Sequence, residues 1–114
     1  MKSIFTFFFF ISINTFELSL KPLATGKKLF QIHCLSCHQN NGNSIIPEKN
    51  LKKDTLESNG MTNISAISYQ ILNGKNGMPA FGDRLQENEI EQIASYILEQ
   101  AETEKKFKKN FFLS

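Results

Sequence analysis

With 114 residues the chain has room for one hydrophobic core, and dividing it would leave each half marginal. The formal charge of +2 is unevenly spread. Between Lys21 and Ala101 eight basic residues (Lys21, Lys27, Lys28, Lys49, Lys52, Lys53, Lys75, Arg84) meet eight acidic ones (Glu48, Asp54, Glu57, Asp83, Glu87, Glu89, Glu91, Glu99), so no basic stripe supports nucleic-acid binding.

The first twenty residues read as a secretory signal, with Lys2 ahead of a greasy run from Ile4 to Phe16. Ser12, Asn14 and Thr15 interrupt that run, which is shorter than the roughly 20 apolar residues a spanning helix needs. Cleavage is expected near Leu20, leaving no stable membrane insertion, although Leu18, Ser19 and Leu20 lack the small-x-small pattern.

Four helical segments follow and no persistent alternation of a strand, which predicts an all-α domain over 21–102. The first helix starts near Pro22, suited to a first turn, and ends near Cys34, with Gly26 and Phe30 on one face where another helix could come close. A short helix, Leu51 to Ser58, stops at the Asn59-Gly60 turn signal. A third, from about Asn63 to Asn73, lines up Ile64, Ile67 and Ile71 and terminates at Gly74.

The last helix carries the clearest stripe, Ile90, Ile93, Ala94, Ile97, Leu98 and Ala101, with Glu87, Glu89 and Glu91 favouring its N-terminus. Tyr96 on this helix and Phe30 on the first read as core aromatics. Residues 103–114, with Lys105, Lys106, Lys108, Lys109 and three phenylalanines in no stable period, read as a frayed or flexible basic tail.

Cys34-Leu35-Ser36-Cys37-His38 is the one strong motif, because C-x-x-C-H is the signature of covalent haem attachment. Two thiols three residues apart in a helical turn can add to the two vinyl groups of one haem, and the adjacent histidine then stands over the iron. A thioredoxin-like pair would want a βαβ context. A zinc site would need four ligands, and His33, Cys34, Cys37 and His38 are too tightly bunched to surround one ion.

The sixth iron ligand comes from Met61, Met78 or His33. Met78 is favoured by Asn76-Gly77-Met78-Pro79, in which glycine lets the backbone approach the haem and proline stiffens the loop. Met61 reads as cover for the haem edge or a small core, and His33 as a surface or propionate-side residue. A thioether ligand favours reduced iron, and two filled axial positions leave outer-sphere electron transfer rather than catalysis. A catalytic or sensory haem module with a labile Met78 is the rival. Gly74-Lys75-Asn76-Gly77 lacks P-loop spacing and reads as a haem-packing turn.

Three further blocks accompany the haem motif in order: Asn43 to Leu51, Tyr69 to Lys75 and Met78 to Leu85. With them, residues 21–102 resemble cytochrome c6, the photosynthetic carrier family of algae and cyanobacteria. The resemblance implies a class I cytochrome c fold of four helices around one haem c, with Gly26 and Phe30 packed across the last helix near Tyr96. It implies that Asn43 braces the loop by the haem, Lys49 lies near a propionate, Gln70 faces the haem and Arg84 marks the edge where photosystem I docks. It further implies a thylakoid-lumen carrier, plastid or cyanobacterial, between cytochrome f of the cytochrome b6f complex and photosystem I. A periplasmic cytochrome serving a respiratory oxidase is the alternative within the class. The tail beyond Glu102 departs from the family pattern.

Overall fold

The computed structural model describes residues 25–113; the expected signal segment, its cleavage site and a helix start at Pro22 lie outside them. Four α-helices are present among these residues, α1 (25–33), α2 (Lys53–Ser58), α3 (Ile64–Asn73) and α4 (Glu87–Leu113), with one short 3-10 turn, Gln39–Asn41, after α1. The extended pairing among them is one isolated antiparallel bridge between Lys75 and Met78. All-α is therefore the observed class.

Local chemistry explains where the helices begin and end. The Asn63 side chain accepts the Ala66 N–H at 2.8 Å and caps α3. Gly74 closes that helix at φ 69°, and a Cβ there would sit 2.5 Å from the Met78 carbonyl oxygen. Glu89, in the first turn of α4, reaches back to accept the Gln86 N–H at 2.9 Å, half of a capping box.

Ile90, Ile93, Ala94, Ile97 and Ala101 of α4 are buried together with Phe30 of α1, Leu56 of α2, and Ile67 and Ile71 of α3. Leu98 is half-buried at the edge of this stripe. Burying a side chain such as Ile71 or Ile93 contributes about 2 kcal/mol. Ile64, expected on the same face as Ile67, is 41% exposed and stands outside the buried cluster that Ile67 and Ile71 join.

The α1–α4 crossing is tight. A Cβ on Gly26 would fall 2.2 Å from the Gln92 carbonyl oxygen, and the Phe30 and Tyr96 rings meet at 5.4 Å between centroids. This is the packing that Gly26 and Phe30 foreshadow.

The last helix does not stop near Ala101. It continues unbroken to Leu113, where the sequence pattern leads one to expect a frayed tail. Side-chain ties hold its extension to the body: Glu102 pairs with Lys53, Glu104 accepts from Asn41 Nδ2 at 2.8 Å, and Lys105 pairs with Asp54 at 2.9 Å. Lys108 and Glu104, one turn apart, add an ion pair at 3.1 Å.

Candidate functional site

The chain leaves α1 without losing its helical turn. Cys34 N–H donates to the Phe30 carbonyl at 2.8 Å and His38 N–H to the Cys34 carbonyl at 2.9 Å, so both cysteines and the histidine sit on one continuous turn. Cys34 is buried and Cys37 half-buried. Burial, and secondarily the neighbouring Cys37, push the Cys34 thiol up to about 11. His38 Nδ1 lies 2.8 Å from the Gly42 carbonyl oxygen, which favours a proton on Nδ1 and leaves Nε2 as the nitrogen available to a metal.

Met78 is delivered by a two-residue hairpin. Lys75 and Met78 exchange both backbone hydrogen bonds at 3.0 Å, and the two residues between them, Asn76 (φ 46°) and Gly77 (φ 92°), lie at positive φ. That is the pattern of a type I′ turn, for which Asn-Gly is the strongest sequence signal. Gln70, on α3, brings Nε2 to 4.0 Å from Met78 Sδ.

Asn43 organises the opposite loop. Its side-chain oxygen accepts the N–H groups of Ile45 and Ile46, both at 2.9 Å, while its amide donates to the Lys49 carbonyl at 3.1 Å. Lys49 Nζ donates to Asn59 Oδ1 at 2.7 Å. Arg84 rests its guanidinium 5.5 Å from the Phe81 ring centroid.

These residues surround one cavity of about 500 Å³, which Cys34, Cys37, His38, Asn43, Lys49, Gln70, Met78 and Arg84 all line. Its volume falls within the roughly 300–1,000 Å³ of small-molecule sites. Buried Phe30, Leu56, Ile67, Ile71 and Phe81 supply apolar wall, and exposed Ile32 and Ile45 also border it. Met61 belongs to the lining too, as does half-buried His33, whose ring meets Phe81 edge-on at 5.9 Å between centroids.

Among the described residues no three His, Cys, Asp or Glu side chains converge as a metal-ion cluster. A nitrogen from His38 and a sulfur from Met78, facing an apolar cavity beside two thiols, fit instead a metal whose other ligands come from a flat organic group. The residues present therefore fit haem c. Phe81 carries no motif of its own in the sequence. Its position in Met78-Pro79-Ala80-Phe81, directly beyond the methionine turn, was the available signal.

A helical fold closed by a tight α1–α4 crossing, with C-x-x-C-H on the turn after α1 and a methionine hairpin beside the same cavity, defines a class I c-type cytochrome. A family model described as cytochrome c oxidase, cbb3-type, subunit III, matches residues 21–97. Cytochrome c6 of Bumilleriopsis filiformis is 52% identical over 80 residues, covering 70% of this chain and 93% of that protein. Cytochrome c6 of Pyropia yezoensis is 47% identical over 103 residues, covering 90% and 94%. The crystal structure of cytochrome c6 from the diatom Phaeodactylum tricornutum superposes with a TM-score of 0.69 at 40% identity, covering 71% of this chain and 95% of that one. The chain belongs to the cytochrome c6 family. It is an electron carrier and not an enzyme.

Proposed function

We propose that the chain takes single electrons from cytochrome f of the cytochrome b6f complex and delivers them to photosystem I in the thylakoid lumen of a plastid. Thioether bonds from Cys34 and Cys37 would hold one haem c, with His38 and Met78 as axial ligands. The observation that carries this reading is the convergence of both thiols, His38 and Met78 on one cavity with apolar walls. When bound, haem supplies a one-electron ferrous/ferric couple.

The chain's own residues do the rest. The Gly42 carbonyl orients His38 through Nδ1, and the type I′ turn holds Met78 with little freedom to swing away. Buried Phe81 and Ile71 exclude water, and the Gln70 amide can donate to the Met78 sulfur. Lys49 offers a cation for a propionate carboxylate. Arg84, stacked on Phe81 at the cavity, is suited to meet an acidic partner surface. Such docking is weak and partly electrostatic, since a shuttle must leave each partner quickly.

Flash-induced photosystem I reduction tests the role. Adding the holoprotein should accelerate it, and Arg84→Glu should slow it; a rate that never rises with added protein would overturn the assignment of this partner. The match to an oxidase-subunit family favours one second reading, a cytochrome donating to a respiratory oxidase. Oxygen consumption by such an oxidase, sustained by the reduced protein while photosystem I reduction stays unchanged, would select it.

A further inference from the structure

We infer that the far end of α4 is a foot that rests the protein on an anionic lipid surface. Among the residues whose burial is described, the last buried one in this helix is Ala101, yet the helix runs on to Leu113, an extension of about 18 Å. Its root is anchored by Glu102, Glu104 and Lys105 to Lys53, Asn41 and Asp54. The extension is therefore a platform with a set direction.

What it presents is chemically mixed. Phe107, Phe111 and Phe112 are 72%, 71% and 82% exposed. Isolated exposed apolar residues are ordinary, but three large aromatics within two turns at the end of a helix are not. Phe107 and Phe111, four residues apart, share a side. Lysines 105, 106, 108 and 109 are interspersed with them, and no acidic residue follows Glu104. Lys105 and Lys108 are ion-paired, whereas no ion pair among the described residues engages Lys106 or Lys109.

A basic helix carrying aromatic side chains binds by inserting the rings at the headgroup boundary while the lysines meet anionic headgroups. No helix among the described residues is long and apolar enough to cross a membrane, so this contact lies in the interface. An acidic protein is the competing occupant. The cavity, however, is lined by no residue beyond Ile97, so a redox partner seated over the site would not need the foot. A lipid surface needs no contact with that site. The inference rests on the tail alone and stands whichever proteins exchange electrons with the cavity.

The test is co-sedimentation of the holoprotein with vesicles of phosphatidylcholine containing phosphatidylglycerol, and with vesicles of phosphatidylcholine alone, at low and high salt. Because the apolar run near the N-terminus could itself bind lipid, comparison is made between variants of the same chain. The expected result is binding to the anionic vesicles that weakens with salt. It should fall about fivefold per lysine removed in Lys106→Gln and Lys109→Gln, and about tenfold or more in a Phe107→Ser/Phe111→Ser pair, each with unchanged circular dichroism. No binding at low salt, equal binding to phosphatidylcholine alone, or binding indifferent to all these variants would overturn the inference. Retention on polyglutamate beads without vesicle binding would also overturn it, in favour of an acidic protein.

Discussion

Gly26→Ala adds one methyl group at the place where α1 and α4 touch. The new carbon would lie 2.2 Å from the Gln92 carbonyl oxygen, 2.9 Å from the carbonyl carbon and 3.2 Å from Tyr96 Cβ. The first two are backbone atoms, so no rotamer change relieves them and the helices must part by about 1 Å. A gap of that order forfeits roughly a quarter to a half of each dispersion well along the seam, which here includes the Phe30–Tyr96 contact. Overpacking of this kind costs about 1–3 kcal/mol, and the rigid obstacle places it near the top of that range. Alanine's better helix propensity offsets about 0.5–1 kcal/mol, leaving a net loss near 2 kcal/mol. With urea slopes of about 1–3 kcal/mol/M, the midpoint of unfolding followed by circular dichroism should drop by about 0.7–2 M. Lys28→Ala, at an exposed position on the same helix, should leave it nearly unchanged. A midpoint for Gly26→Ala equal to or above that of the parent protein would refute the close crossing.

In the haem-free chain the Cys34 thiol, raised from 9.0 to about 11 chiefly by burial, should resist alkylation at pH 8 that the unfolded chain undergoes readily; mass mapping of the modified peptide checks this. Because the folded form then holds its proton longer, stability of that chain should decline as pH rises from 9 toward 11. The ties of the α4 extension have the opposite sense. Hydrogen bonds from Lys105, Lys53 and Asn41 hold Asp54, Glu102 and Glu104 below the usual carboxylate range. Their contribution is complete above the ordinary carboxylate pKa and is lost as pH falls through the lowered values. Amide hydrogen exchange in 104–113 should therefore accelerate, relative to its intrinsic rate, between pH 6 and about pH 3, and equal protection at both would contradict the ties. Gln70→Leu removes a weak donor to the Met78 sulfur, which should lower the midpoint potential by about 40 mV, the one-electron equivalent of about 1 kcal/mol. A potential unchanged in voltammetry would remove Gln70 from that role.

Much of this was legible in the sequence because it is local. The C-x-x-C-H turn needs only five consecutive residues, the cap of α3 is Asn63 reaching its own third neighbour, and the stripe from Ile90 to Ala101 announces the buried face of α4. The loop that presents Met78 is equally local: Asn76-Gly77 marks a turn before the methionine, and the structure makes it a type I′ hairpin. The extension of α4 was hidden for a different reason. Its apolar period lapses after Ala101, and what continues the helix is a set of ties across the chain, Asn41 to Glu104 spanning 63 residues. Charge alone cannot signal such pairings, because Lys53 or Lys105 could equally be solvated. Ile64 shares the spacing of Ile67 but stays 41% exposed, and periodicity alone does not report how far burial extends along a face.

The most direct test is the visible spectrum of the purified holoprotein, oxidised and reduced, beside that of Met78→Ala, with the intact mass of each. Covalently attached haem, a sharp reduced α-band and a sulfur-to-iron band near the red end that vanishes in Met78→Ala are the predicted result. A red band that survives the substitution, or a chain whose mass includes no haem, would contradict the account.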